Sequence, residues 1–511
     1  MEKFSYDPFS RKYASDIQGI LQCFDRIVIK GRIQVLSTKS LINWYLRKEE
    51  IPAEEFAKFA QKLRDELKAH IEEFALKNKI PIVHISKPTK YNKEEEIHKI
   101  IESRKITEGY VAILTVMELG NGYRCTTGNL SEHWIKPNTS PCLHYYIYFI
   151  DQTLGLTYVR IQTYLPIELQ VYFNGHNYLA IKLKKNGMRF RMTDNGFTMI
   201  EEYGKAQKLA DSLKAEKLHK ILDAFAHRFI PFLGRQKWEY RWTIMQSEYS
   251  TDVIFREANR VKEVYEGLSH RSILCIKPSQ VATYFETSYT MRTKRIVTNR
   301  IEEGISEQGQ LSTTRVKHQK GANSIKMYNK PERILRIETT INKPQELRTK
   351  RSVRHCDGTI TTEVAYLSKS IYSLHLIKQI SKAANQRYLE TLACFDDNSI
   401  GSNRLESIAS AVYHNHRSYA GFNICKKSDL RLIRVIERGE FAISGIRNKD
   451  IRKLLPDLSA STVSRIIRRM RDHHLLRKVA NGYRYFLTEL GRVLCAEALR
   501  LIHLELLPAL S

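Results

Sequence analysis

The stretch Arg315–Asn342, RVKHQKGANSIKMYNKPERILRIETTIN, decides how the rest of the chain is read. Ser324 to Tyr328 alternates polar and apolar, Asn329-Lys330-Pro331-Glu332 supplies turn residues, and Ile334 to Ile341 alternates again. A period of two predicts a pair of half-buried strands. Successive side chains then point to opposite faces, so Lys326 and Tyr328 share one face, with Lys330 just past the strand end. On the second strand Arg336, Glu338 and Thr340 share a face, and Leu335, Ile337 and Thr339 take the other. Facing each other, the two strands bring together a phenol, a lysine, an arginine and a carboxylate. That set can hold a phosphate and attack it. An ordinary amphipathic hairpin with a wet polar face is the plainer alternative.

Composition narrows the partner. Of 511 residues, 42% are hydrophobic and 27% charged, and Lys+Arg 83 against Asp+Glu 55 gives a formal net charge of +28. Such an excess repels itself unless an anionic partner screens it. Nucleic acid is the first expectation, DNA favoured over RNA, and a membrane surface the second. No apolar run reaches membrane-spanning length, and the N-terminal MEKFSYDPFSRKYASD lacks a secretory apolar core. Eight scattered cysteines without a CxxC pair indicate neither a zinc ribbon nor a disulfide framework. The expected location is the bacterial cytoplasm, associated with the nucleoid. A homodimer is allowed.

Outward from the hairpin, the pattern predicts an α/β or α+β multi-domain chain. A mixed-sheet body precedes a helical connector and a C-terminal winged helix-turn-helix. The expected boundaries are an α/β domain over 1–135, an α+β domain with a long helix over 136–235, and an α+β domain carrying the hairpin over 236–345. The connector covers 346–430 and the winged helix-turn-helix 431–511. Within these, FDRIVIKGRIQV reads as a strand pair broken at Gly31, residues 136–141 as a loop, and Pro166 as a helix start. Lys205 to Leu233 reads as one helix, and Arg300 to Leu311 as a loop. Glu363 to Leu392 turns helical, and Phe441 to Leu455 forms one helix. A second helix, Ser461 to His474, carries Arg465, Arg468, Arg469 and Arg471. Strands around Asn481-Gly482 form a hairpin whose wing holds Lys478 and Arg484. The basic helix would enter a major groove.

Carboxylates for a metal come from QSEYSTD. Placed at a helix start, Glu248 and Asp252 share a face, and with Glu338 they make three acidic groups, enough for Mg²⁺ or Mn²⁺ in oxygen coordination. Acids at a helix N-terminus are favoured anyway, which is the bland reading. Arg315, Lys317, His318 and Lys320 form a basic segment expected to face phosphate, together with Lys326. His144 and His176 are weighed as ligands against hydrogen-bonded structural histidines.

IKMYNK followed by LRIETTIN resembles the hairpin of Rep_trans-type rolling-circle replication initiators, and filamentous-phage nicking proteins have a similar segment. The resemblance implies metal-assisted attack of tyrosine on a DNA phosphodiester, leaving a 5′-phosphotyrosine. It would set Tyr328 as the nucleophile and Lys330 at the motif's lysine, with Arg336 and Glu338 at its Arg-φ-Glu. The His-hydrophobe-His metal motif of the wider nicking superfamily is absent, since CLHYYIYF has His144 alone. A phenol of pKa about 10 needs a cation beside it to ionise near neutrality, a task for Lys330 or Arg336. The functional expectation is thus a mobile-element protein that nicks or transfers DNA strands with a metal and a tyrosine. The alternatives are a non-catalytic RNA-binding partner of a structured noncoding RNA, a winged-helix DNA-binding regulator, and hydrolysis by metal-activated water on Glu248, Asp252 and Glu338.

Overall fold

The computed structural model describes residues 8–86, 92–127, 133–286, 297–305, 311–330, 333–355, 357–395, 406–414, 417–479 and 482–500. The turn residues Pro331, Glu332 and Asn481 lie outside them. Contacts divide the chain into two compact units, 1–396 and 397–511. The protein is mixed α/β, with a large mixed sheet and many helices.

The first unit is built on eleven strands: β1 (Ile17–Ile33), β2 (Ile82–Ile85), β3 (Gly109–Thr127), β4 (His133–Asp151), β5 (Gly155–Gln162), β6 (Leu169–Asn174), β9 (Tyr240–Phe255), β10 (Val297–Ile305), β11 (Leu311–Lys320), β12 (Asn323–Lys330) and β13 (Ile334–Ile341). Their order across the sheet is β10-β11-β12-β13-β9-β1-β6-β5-β4-β3-β2. The short hairpin β7 (Phe190–Thr193) and β8 (Gly196–Ile200) stands apart, as does the ribbon β14 (Arg348–Arg354) and β15 (Ile360–Tyr366). Neighbours in the large sheet pair antiparallel except β2 with β3.

One face of the sheet is apolar. Ile147, Val171, Trp242, Val253, Ile325, Met327, Leu335 and Ile337 join helices Phe56–Lys77, Ala215–Phe229, Ala258–Cys275 and Leu374–Phe395 in a single core. Each fully buried Leu, Ile or Phe there contributes roughly 1.5–3 kcal/mol. The opposite face is covered in patches. Helices Gly175–Lys185 and Tyr203–Ala210, with β7 and β8, pack on Leu21, Ile254 and Ile334. Helix Lys93–Arg104 packs by Ile97 on Leu114, Val116, Tyr146 and Tyr148.

This architecture corrects several expectations. The divisions at 135 and 235 do not separate sheets, because strands from all three expected blocks lie side by side in one. β1 runs unbroken through Gly31, where a Cβ would come 2.4 Å from the Trp242 ring. Residues 136–141 lie inside β4, paired along their length with β3. Leu169–Asn174 is a strand, so the helix begins at Gly175 and not at Pro166. The long helix over Lys205–Leu233 is split, with helices Tyr203–Ala210 and Ala215–Phe229. Val297–Ile305 is a strand where a loop was expected. In the expected connector, β14 and β15 come first, and helix Leu374–Phe395 belongs to the core of the first unit.

In the second unit, helices Lys427–Ile436, Gly439–Ser444, Asn448–Leu454 and Ala460–Asp472 precede strands β18 (Leu476–Lys478) and β19 (Tyr485–Leu487) and helix Glu489–Arg500. A short strand pair, β16 (Val412–His414) and β17 (Arg417–Tyr419), comes before them. Ile433, Ile451, Val463, Ile467, Met470 and Leu476 form the unit's core. The single helix expected over Phe441–Leu455 is broken at Gly445, whose φ of +73° suits glycine alone among common residues. Among the described residues, no helix is long and apolar enough to cross a membrane.

Candidate functional site

The opening hairpin is β12 and β13, with the shared faces its alternation predicts, and the pairing sets Lys326 opposite Glu338 and Tyr328 opposite Arg336. Its polar face is not wet. Arg336 is 0% exposed, Glu338 2% and Lys326 7%. β9 runs beside β13, with Asp252 opposite Arg336 and Glu248 opposite Thr340. Glu248 and Asp252 therefore sit on a strand and not at a helix start. They still share a face, because a four-residue step spans two full pleats.

Burial of these charged side chains demands partners, and the structure supplies them in two groups. In the first, Arg336 Nε donates to Asp252 Oδ1 at 2.6 Å and Nη2 to Asp252 Oδ2 at 2.7 Å. Nη1 donates to Asp25 Oδ2 at 3.1 Å, and Nη2 also to the Asn195 carbonyl at 2.7 Å. His176 lies between the acids, Nε2 3.2 Å from Asp252 Oδ2 and Nδ1 3.2 Å from Asp25 Oδ1. Burial disfavours its protonation, yet the neighbouring Cys23 and hydrogen bonds with both carboxylates raise its pKa well above the usual range. Arg336 Nη2 also lies 3.0 Å from His176 Nε2, so guanidinium and imidazole both face the two carboxylates. Burial alone would raise the pKa of Asp252, but Arg336 and His176 together outweigh it and hold the carboxyl at about 2. Asp25 is held well below its ordinary value, burial again being outweighed by Arg336 and His176.

The positions of these groups are set locally. Asn174 caps helix Gly175–Lys185, accepting from His176 N at 2.8 Å, and its Nδ2 donates to Asp25 Oδ1 at 3.0 Å. Gly175 lets that helix start lie on β1, since a Cβ there would fall 2.1 Å from the Phe24 carbonyl oxygen. Asn195, in the β7–β8 turn, donates from Nδ2 to Asp25 Oδ1 at 2.7 Å.

In the second group, Lys326 Nζ donates to Glu338 Oε1 at 2.7 Å and to Glu248 Oε1 at 3.1 Å. Burial opposes the Lys326 charge, but the two carboxylates raise its pKa. Glu248 has its pKa raised by burial and by the Glu338 charge. Tyr328 is partly buried, and its hydroxyl donates to Glu338 Oε2 at 2.6 Å. Lys330 Nζ donates to Asp194 Oδ2 at 2.8 Å.

These contacts overturn the tyrosine-nicking expectation. Burial, followed by the Glu338 charge, pushes the Tyr328 phenol well above its ordinary pKa, so the phenolate is disfavoured. The cations meant to favour it are engaged elsewhere, Lys330 by Asp194 and Arg336 by Asp25 and Asp252. The metal set does not fit as expected either. Asp252 is the bidentate partner of Arg336, and Asp25 takes its place beside Glu248 and Glu338, with oxygens within 4.8 Å of one another. The Lys326 ammonium already bridges two of those three acids.

The basic segment before the hairpin is strand β11. Arg315 and Lys317 pair with Glu302, at 2.9 and 3.2 Å. His318 is buried, with Nδ1 3.0 Å from Asn299 Oδ1 and Nε2 3.0 Å from the Tyr388 hydroxyl, and burial lowers its pKa to about 3. It does not face a phosphate. Lys320 is half-buried. His144 is buried too, with Nδ1 at 3.0 Å from the Cys142 carbonyl, which favours the structural reading.

Asp25, His176 and Asn195 complete the network, and sequence reasoning assigned none of them to it. One signal was present for Asp25: a lone acid inside the apolar run CFDRIVI.

In the second unit the basic residues divide. Arg469 is structural: its guanidinium donates to both Asp429 oxygens at 2.9 Å and to the Ala420 and Gly421 carbonyls. Arg468 lies 3.9 Å from Asp472. Arg465, Arg471, Lys478 and Arg484 are exposed.

No protein-family model matches the chain, and no curated protein does. A solved structure that aligns with it is the class II 3-hydroxy-3-methylglutaryl-CoA reductase from Streptococcus pneumoniae bound to NADPH in open conformations. The alignment has 10% identity, covers 91% of this chain and 80% of that one, and has a TM-score of 0.21. That protein is a reductase and not a nicking enzyme, and at such a score neither fold nor chemistry transfers. The nicking reading is withdrawn.

Acid should loosen the Arg336 network. A carboxylate whose folded pKa is lowered stabilises the fold above its unfolded pKa of about 4, and that stability is lost as pH falls through the folded value. For Asp252 the window runs from about pH 4 down to about pH 2, and the loss is roughly 2–3 kcal/mol. Urea midpoints measured across that window should fall in wild type and fall less in Asp252→Asn.

Proposed function

We propose that this chain is a duplex-DNA-binding protein that docks through its second unit, by a winged helix-turn-helix. The observation that carries the reading is the exposed face of helix Ala460–Asp472. Ser459 caps it, accepting from Thr462 N at 3.2 Å. Val463, Ile467 and Met470 face the core, which turns Ser461, Ser464 and Arg465 outward, with Arg468 half-exposed on the same side. A helix with small polar residues at its N-terminal end and arginines behind them suits a major groove. The short helix Asn448–Leu454 precedes it, and the β18–β19 hairpin follows with Lys478, Tyr483 and Arg484 exposed. Tyr485 also forms an isolated antiparallel bridge with Ile446. A concavity lined by Arg438, Arg447, Lys449, Lys453 and Arg484, and by the acids Glu440 and Asp450, gives phosphates a further surface with an excess of cations.

DNA is preferred over RNA because the major groove of an A-form helix is too deep and narrow for this helix. Fluorescence anisotropy with a labelled mixed-sequence DNA duplex tests the reading. Arg465→Ala/Arg484→Ala should weaken binding roughly tenfold and flatten the log-log salt slope by about 2, near 0.9 for each phosphate no longer neutralised. Arg469→Ala should instead destabilise the second unit, since it strips Asp429 of its partner. Equal affinity of wild type and the Arg465/Arg484 variant for duplex would sink the proposal. Tighter binding to a structured RNA would replace DNA as the partner.

A further inference from the structure

The ribbon β14–β15 leaves the first unit at a buried base. Leu347 and Leu367 are buried, and Leu367 N donates to the Leu347 carbonyl at 3.0 Å. Beyond that clasp, seven residues pair on each strand, a reach of roughly 23 Å at about 3.3 Å per residue. A two-stranded ribbon with nothing packed on it is marginally stable in water, and most of its residues are exposed.

The two faces of the ribbon differ. Arg348, Lys350, Ser352 and Arg354 lie opposite Tyr366, Val364, Thr362 and Ile360 in register, so all eight share one face. Every charge on that face is positive. Three large apolar side chains stand among the cations, Ile360 at 70%, Val364 at 67% and Tyr366 at 52% exposure. Arg348 stacks over the Tyr366 ring at 4.2 Å. Among the described residues, Lys350 and Arg354 have no carboxylate within ion-pair distance. The other face carries Arg351 opposite Glu363, which cancel, with Thr349, Val353, Thr361 and Ala365.

We infer that β14–β15 is a second DNA-binding element, an arm that lies in a groove of duplex DNA with its Arg348–Lys350–Arg354 face inward. The inference rests on the duplex-DNA reading of the preceding subsection but concerns a different element. A B-form major groove admits a two-stranded ribbon. Cations along the strand meet phosphates, while the interleaved apolar groups meet sugars and thymine methyls. Charge complementarity selects the occupant: a face with three cations and no acid fits a polyanion. The exposed apolar side chains distinguish the arm from a merely solvated basic loop.

The test uses the full chain and the same labelled DNA duplex. Arg348→Gln/Lys350→Gln/Arg354→Gln should weaken binding by roughly an order of magnitude and flatten the salt slope by about 2 to 3. Ile360→Ser/Val364→Ser should weaken binding with the slope unchanged, because every phosphate keeps its cation. Thermal unfolding verifies that both variants remain folded. If both variants bind like wild type while Arg465→Ala/Arg484→Ala binds more weakly, the arm proposal falls and the docking reading stands. If wild type does not bind duplex, the docking reading falls and takes the arm with it. If the triple variant loses affinity for vesicles containing phosphatidylserine and keeps its affinity for duplex, the arm is a lipid contact and the proposal is overturned.

Discussion

Arg336→Met is expected to lower the stability of the first unit by about 3–5 kcal/mol, the usual cost of removing one partner from a buried ion pair. The guanidinium makes four hydrogen bonds to Asp25, Asp252 and the Asn195 carbonyl. Without it, two buried carboxylates lose their guanidinium partner, and at least one negative charge is left without compensation. Arg336→Lys should lose less, because charge is kept, yet one ammonium cannot reach both acids and the carbonyl in the geometry of the planar fork. Combining Arg336→Met with Asp252→Asn should recover part of the loss, since a neutral amide tolerates burial better than an unpaired carboxylate. All four tryptophans, Trp44, Trp134, Trp238 and Trp242, lie in the first unit. Tryptophan fluorescence in urea therefore reads that unit's transition. An unchanged midpoint in Arg336→Met would show that the network does not hold the sheet and its covering elements together.

Lys326→Met should cost about 3 kcal/mol or more near neutral pH, with a pH dependence that identifies its cause. Lys326 bridges Glu248 and Glu338. With the ammonium gone, the two carboxylates repel across a buried space, and one of them takes up a proton. A carboxyl whose folded pKa is raised binds more protons folded than unfolded. Its contribution is therefore favourable at low pH and is lost as pH rises from the unfolded value, about 4.3, through the folded one. Glu248 already has its pKa raised in the wild type, so the variant should lag wild type most above pH 7 and least near pH 5. Adding Glu338→Gln should remove most of that dependence. A deficit independent of pH would point to the missing packing of the lysine stem instead.

The same geometry explains how far the hairpin could be read in advance. Its two faces follow from the period of two, because side-chain direction in a strand is a local property. That Lys326 stands opposite Glu338 and Tyr328 opposite Arg336 is set by the strand pairing of the fold. Burial of the polar face is not local. A period of two ordinarily means one dry and one wet face, and here helix Gly175–Lys185, Asp25 and the β7–β8 turn close the side expected to meet water. Asp25 is 311 residues from Arg336 in sequence, and no spacing rule connects them. The chemistry changed with burial. Exposed, the tyrosine, lysine and arginine suggested a reactive set, but in the fold the two cations are paired with carboxylates and the phenol donates to Glu338.

By itself, the sequence determined the positive charge, the strand alternation of the hairpin and the order of helices and strands near the C-terminus. These are properties of composition and local periodicity, which need no knowledge of what lies nearby in space. Only the tertiary structure decided that one eleven-stranded sheet joins three expected domains, and that Arg469 secures Asp429 while Arg465 stays exposed. It alone decided that the hairpin's charged face is sealed. Each of these depends on which distant segments meet, and a buried charge takes its role from the partner that meets it.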